Sequence, residues 1–431
     1  MEGRVVADET WGGNVEMPVG LISDMMVVGI QSEDEAGLLA GAVWVFKRVG
    51  QQWVQTQKIL PTSPMNNMRF GRSLSIEQQI DTGEAWMAVG APTFNNKGRV
   101  DMYRRVGDTW VYHSSLSLPD GLTGSLFGQD VSINVDIPID EEDPLWTVAI
   151  GMPGFIYTGE STSKGAVFIS NLNSLDNWTI PGMPLATTPG SDANLAQIGN
   201  SVAIDGDVIV AGAPQHIVSG QGLAGAIYVY RRSAAGTWAE ETVFGNPDAI
   251  NGEVTGGAYF GQQVAIAKQI IPPSVVTGNY YYLVGAPINT SEHTGGQAYI
   301  IQHSAGAITN YQRIFRPDQN EAEDRFGWEV AIGQDLTGGD HELLITSRHY
   351  GDGSQGAVFV YNQSDLNEPW IARQHLVITD LAANQPGFSA NFGAAVAAWE
   401  GLIAVSATNA ASNWDAIYTN PIIVHRSGFE P

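Results

Sequence analysis

An aromatic residue followed by glycine recurs along this chain at a nearly constant interval, and that recurrence limits the possible folds more than any other feature. It occurs as Phe70–Gly71, Phe127–Gly128, Phe260–Gly261, Phe326–Gly327 and Phe392–Gly393. Ile198–Gly199 stands in the same context, and Trp11–Gly12 precedes the series. The positions 11, 70, 127, 198, 260, 326 and 392 lie 57 to 71 residues apart. Self-similarity at such a period is the mark of a repeat architecture.

The text around each pair repeats as well. A short alternating run follows, then an apolar run that ends in small residues and proline, as at Gly90, Ala91 and Pro92, at Gly212, Ala213 and Pro214, and at Gly285, Ala286 and Pro287. A third run opens on glycine at Gly41, Gly165, Gly225 and Gly356. A fourth is marked by Trp53, Trp110, Trp178, Trp238, Tyr311 or Trp370. The runs are rich in Val, Ile and aromatic residues, which suit pleated, packed strands, and turn signals separate them. No long window shows a helical period. Seven units of four short strands predict an all-β, seven-bladed β-propeller with four antiparallel strands per blade, in which stacking buries both faces of each blade. The recurrent Trp residues are expected between blades. Residues 1–431 are expected to form this single propeller.

Repeat seven is short. Its strands are expected at 394–399, 402–406 and 421–425, with no fourth. The run Arg4, Val5, Val6 and Ala7 is therefore expected to complete blade seven, closing the ring and removing an exposed edge.

These motifs resemble the FG-GAP repeats of integrin α subunits and of many bacterial secreted proteins. Phe70–Gly71 with Gly90, Ala91 and Pro92 carries the full signature, as does Phe260–Gly261 with Gly285, Ala286 and Pro287. The resemblance spans nearly the whole chain. It implies calcium in Asp-rich loops between strands one and two and a ligand face built from the strand two–three and four–one loops. Calcium needs several oxygen ligands, and the nearest runs here are Asp335, Asp340 and Glu342 in repeat six and Asp136, Asp140 and Asp143 in repeat three. The alternative is a solvated hairpin turn, which Asp-Gly favours without metal. On the ligand face the resemblance implies the acidic loop Glu33, Asp34 and Glu35. The side chains Phe155, Tyr157, His216, His293, His349, Tyr350 and Trp414 stand in the strand two–three loops, where exposed aromatics suit sugars or protein partners.

Composition narrows the function. The 45 Asp plus Glu exceed the 20 Lys plus Arg, giving a net charge of -25. Nucleic acid is therefore not an expected partner, since such binders need a basic face. Cys is absent, which removes thiolate metal sites and Cys nucleophiles. No apolar stretch is long enough to span a membrane. No serine-hydrolase elbow, zinc-protease or phosphate-loop motif occurs. The expected function is accordingly non-enzymatic: a secreted or cell-surface recognition module binding a protein or glycan, with calcium as its one possible cofactor. The alternative is a structural subunit of a filament or coat, in which copies of the chain assemble through propeller faces or exchanged terminal strands. An enzyme would need polar side chains converging on the axis; an interior of only Gly, Ala and Val would exclude it.

Overall fold

The computed structural model describes residues 4–5, 17–50, 52–118, 122, 124–136, 144–179, 184–185, 195–253, 256–271, 275–288, 295–304, 306–317, 324–334, 341–351, 355–363, 368–377, 391–399, 402–408 and 416–419. These form seven antiparallel four-stranded sheets, each built from consecutive strands except the last. The first strands of the blades, in ring order, are Val19–Ile22, Ser73–Gln78, Val131–Asp136, Val202–Asp205, Val264–Ile271, Phe326–Gln334 and Val396–Trp399. They surround the axis, and the fourth strands form the rim. Blade seven runs Val396–Trp399, Leu402–Ala407, Ala416–Thr419 and then Arg4–Val5, with Arg4 opposite Tyr418 and Val5 opposite Ile417. The N-terminal strand thus closes the ring. A side-chain clasp supports the closure, because Trp53 Nε1 of blade one donates to Thr419 Oγ1 at 3.0 Å.

Two details differ from the sequence expectation. The third strand of blade seven is Ala416–Thr419 and not 421–425, which lie outside the described residues. The register signal is Ala416, Ile417 and Tyr418, which match Ala226, Ile227 and Tyr228 of blade four. Asp415 stands where the other blades have glycine, so the match was hidden. The first blade also starts later than Trp11 implies. Gly29 N donates to Pro18 O as Gly212 N does to Ser201 O, which sets Val19–Ile22 as its inner strand. Trp11 lies outside the described residues.

The signature residues form the seams between blades. Phe70, Phe127, Ile198, Phe260, Phe326 and Phe392 are all fully buried. Each pairs with the glycine that opens strand three of the preceding blade, from Gly41 with Phe70 to Gly356 with Phe392. The residue before each aromatic is left-handed: Arg69, Leu126, Gln197, Tyr259, Arg325 and Asn391 have φ of 42 to 68°. The glycine after it is left-handed too, as at Gly71, φ 82°. That glycine also packs backbone to backbone against the Gly-Ala-Pro glycine of the preceding blade. A Cβ on Gly212 would lie 2.0 Å from Gly261 O, and one on Gly29 would lie 2.1 Å from Gly71 O. At these seams glycine is required twice, once for φ and once for space, whereas in blades six and seven Thr346 and Ser406 stand at the second position.

Propeller inner strands have a free edge whose N–H groups need partners. Here side chains of the preceding blade supply them. Ser75 accepts from Ile133 N at 3.1 Å, and Ser132 from Ile204 N at 3.2 Å. Asn134 accepts from Gly206 N at 2.9 Å, and Asp130 from Val202 N at 2.8 Å. Ser201 and Asp205 do the same for Val264 N and Lys268 N. Between blades the packing is apolar; Trp86, Val100 and Met102 of blade two, for instance, share a core with Ile133, Val148 and Phe168 of blade three. Of the recurrent Trp residues, Trp110, Trp178 and Trp370 are buried, whereas Trp53 and Trp238 are half-buried and pack against the edges of the cores. Among the described residues no helix is long and apolar enough to cross a membrane.

Candidate active site in the axial channel

The seven inner strands enclose a channel of about 380 Å³ along the axis. Its walls differ. Blades two to four contribute Arg72, Glu77, Asp130, Asn134, Asn200 and Asp205, whereas blades six and seven contribute mostly apolar groups, among them Trp328, Ile332, Ala397 and Trp399, with Glu329 as an acidic exception. At the end reached by the strand one–two hairpins, the channel opens into a compartment of about 270 Å³. Glu77, Asn134 and Asp205 line it from one side and Ile332 and Trp399 from the other.

Glu77, Asn134 and Asp205 each stand seven residues after the repeat aromatic, at Phe70, Phe127 and Ile198. Three adjacent blades therefore present one layer of polar side chains to the axis. Asn134 and Asp205 spend an oxygen each on the next blade's free N–H. Glu77 instead accepts from Gln78 N at 3.0 Å.

The two carboxyl groups meet different electrostatics. Burial pushes Glu77 up to about 8; the Gln78 N–H opposes this, and the negative charge of Asp205 adds to it. Burial also raises Asp205, but here the Lys268 ammonium and Lys268 N–H pull the other way. Lys268 Nζ lies 3.8 Å from Asp205 Oδ1 and 3.3 Å from Asp136 Oδ1. Arg232 holds the second oxygen of Asp136 at 2.7 Å. Burial thus raises both carboxyl groups, and at Asp205 the neighbouring cation opposes the rise. Asp130, at the far end of the channel, is also raised by burial, against N–H groups of Val202 and Val131, Ser201 and the Arg72 charge. Its oxygens hold blades three and four together.

The residues expected at the ligand face lie elsewhere, on the face of the strand two–three loops. Glu33 and Glu35 both pair with Lys58, at 3.4 and 2.5 Å, and Asp34 accepts from Leu39 N at 2.6 Å. Phe155, expected at the surface, is 2 % exposed. It packs edge-on against Phe168 and Tyr157, because its loop folds back over its own blade. His216 lies edge-on to Tyr228, and Tyr350 packs on Phe359 with the Arg316 guanidinium 4.9 Å from its ring. His349 is half-buried, its N–H bonded to Asp324 O at 3.1 Å. His293 and Trp414 lie outside the described residues.

Of the calcium candidates, Asp136 is engaged by Lys268 and Arg232, and Glu342 accepts from Asn362 Nδ2 at 3.5 Å. Asp140, Asp143, Asp335 and Asp340 lie outside the described residues. Among the described residues no three carboxylate or imidazole groups gather as metal ligands would. The Glu77–Asp205 pair is hard to see in the sequence, because both acids sit beside hairpin turns, where carboxylates are common. Their equal distance from the repeat aromatic was the available signal.

No protein-family profile and no curated relative matches the chain. Among solved structures it is similar to a point mutant of an alpha-L-arabinofuranosidase from Fusarium graminearum, in complex with an iminosugar inhibitor. That likeness has a TM-score of 0.50 and 10 % identity, and covers 97 % of this chain and 96 % of the other. At this identity it concerns the fold. The matched protein is an enzyme, and polar side chains line the channel of this chain; the expectation of a non-enzymatic module, whether for recognition or for filament assembly, is corrected accordingly.

Proposed function

We propose that the chain is a glycoside hydrolase that works in the axial channel, with Glu77 as proton donor and Asp205 as its carboxylate partner. The observation that carries this reading is the pair itself: two carboxyl groups lining one compartment, both raised by burial, with Lys268 opposing the rise at Asp205. A carboxyl group raised as far as Glu77 holds a proton near neutral pH, as a general acid must, while a neighbouring ammonium favours the charged form of Asp205. Glu77 protonates the leaving glycosidic oxygen as the C–O bond breaks. Asp205 stabilises the positive charge that develops on the sugar; water then adds its oxygen to the sugar carbon and passes its released proton to the Glu77 carboxylate, which restores the acid. Trp399 and Ile332 offer an apolar surface to the sugar's C–H face opposite the polar layer. The structure to which the chain is similar is that of an alpha-L-arabinofuranosidase, which supports a glycosidase reading for a propeller of this shape.

Two further points go with the reading. The signature glycines at the seams support an FG-GAP type of blade. A polymeric glycan substrate favours work outside the cell, in secreted or surface-bound form.

The test is hydrolysis of a panel of aryl pentofuranosides and hexopyranosides by the parent and by Glu77→Gln. At least one substrate is expected to be cleaved, with the rate falling about 100-fold or more in the variant. A variant that keeps the parent rate, or a parent inert on every substrate, contradicts the proposal.

A further inference from the structure

The hairpin that presents Asp205 is held from behind by groups that never reach the channel. Asp205, Gly206 and Asp207 connect the strands Val202–Asp205 and Val208–Ala213 of blade four. On the channel side, Asp205 Oδ2 accepts from Lys268 N of blade five at 2.7 Å, and Gly206 N donates to Asn134 Oδ1 of blade three at 2.9 Å. Asp207 lines neither the channel nor its compartment. Its Oδ1 accepts from the Tyr280 hydroxyl of blade five, and its Oδ2 accepts from Arg231 Nη1 at 2.7 Å.

Arg231 is itself held in place. Its Nε donates to Glu241 Oε1 at 2.6 Å, and its Nη2 lies 3.3 Å from His303 Nδ1 of blade five. A guanidinium can only donate, so His303 Nδ1 accepts and the ring proton sits on Nε2, 3.0 Å from Glu241 Oε2. The imidazole is fully buried, and burial draws it below the usual histidine range, with the Glu241 charge opposing. Blades four and five therefore share one fixed cluster behind the hairpin.

The two carboxylates of the hairpin are used differently. Burial acts to raise both. At Asp207 the Tyr280 hydroxyl and the Arg231 guanidinium outweigh it and hold the carboxyl below its usual range, whereas Asp205 stays raised. Asp207 is a fixed anion spent on the fold. Asp205 Oδ1 makes no hydrogen bond among the described residues, and the Lys268 ammonium lies 3.8 Å from it. Gly206 between them is a natural pivot, with φ 59°. We propose that Asp207 is a positioning residue: tied to Tyr280 and Arg231, it stops the hairpin from turning about Gly206 and so sets where Asp205 Oδ1 stands in the channel. This rests on the reading of Asp205 as the carboxylate that faces the developing positive charge.

The test is a double-mutant cycle on the full chain with Asp207→Asn, Asp205→Asn and the pair. A residue that acts through Asp205 has nothing left to act on once Asp205 is changed. On an aryl glycoside that the parent cleaves, kcat is expected to fall about tenfold in Asp207→Asn, with KM changed less than about twofold. In the Asp205→Asn background the same change is expected to cost nothing further. Equal losses in both backgrounds, as a merely structural role would give, overturn the proposal, and so does Asp207→Asn with the parent kcat. If Asp207→Asn fails to fold, Tyr280→Phe, which keeps the ring and breaks one bond of the tether, takes its place in the cycle. Protonated imino analogues of arabinofuranose and glucopyranose read the same carboxylate without turnover. Their dissociation constant is expected to rise about tenfold in Asp207→Asn and no further in the pair. If the parent cleaves nothing, the hydrolase reading fails and this titration decides alone: binding that ignores Asp205, or no binding, then overturns the positioning role as well.

Discussion

Glu77 shows how much one position can do in a ring of repeats. The layer it belongs to holds Asn134 and Asp205, which both stitch their blade to the next, while Glu77 takes its N–H from its own chain neighbour, Gln78. Its proton is retained up to about 8 in the fold, against 4.5 for an ordinary glutamate. Between those values the folded state binds more protons than the unfolded chain. This group's contribution to stability is therefore full below pH 4.5 and is lost as pH rises through 8. Glu77→Gln is expected to raise the melting temperature above the parent's at about pH 9 and to leave it unchanged at about pH 4. Equal melting at both pH values would mean that Glu77 titrates normally. Ser132 tests the stitching role. Ser132→Ala leaves Ile204 N without its partner, and a loss of about 1–3 kcal/mol in urea unfolding is expected.

At the scale of strands and seams, the glycines divide into those that fill a turn and those that let backbones touch. Gly236 has φ 80° with nothing within 4 Å of a built Cβ, whereas a Cβ on Gly212 meets Gly261 O at 2.0 Å. Gly236→Ala is expected to cost about 1–2 kcal/mol, from backbone conformation alone. Gly212→Ala should exceed that clearly, at about 4 kcal/mol or more, because two blades must move apart. Similar values in denaturant titrations would show that the seam is not tightly set. The same division explains what was legible. Phe-Gly and Gly-Ala-Pro could be read directly, because the same backbone contact recurs at several seams, although Thr346 and Ser406 replace its glycine in blades six and seven. Ala416–Thr419 was missed because Asp415 breaks the Gly-Ala pattern, and the first blade was misplaced because Trp11–Gly12 imitates it. Phe155 was expected at the surface because a loop position does not reveal that the loop packs on Phe168.

For the whole molecule, closure and the channel are the same event. The axis is lined only once blade seven is completed by Arg4–Val5 and Trp53 clasps Thr419. Deleting residues 1–5 is expected to lower the melting temperature by several degrees without changing the all-β circular dichroism of the remaining blades. An unchanged melting temperature would show that this strand adds nothing to closure. Closure also explains why the fold was readable and the site was not. The repeat is local in sequence, whereas Glu77 and Trp399 face one compartment from opposite ends of the chain. Composition pointed to an acidic surface, but the decisive carboxylates are the few turned inward.

The most direct test of the account is the pH dependence of kcat/KM on whichever aryl glycoside the parent cleaves. With Glu77 as proton donor, activity is expected to fall as pH rises through about 8, and that alkaline limb should disappear along with most of the rate in Glu77→Gln. A limb that persists unchanged in Glu77→Gln, or a variant as fast as the parent, would place the chemistry on other residues.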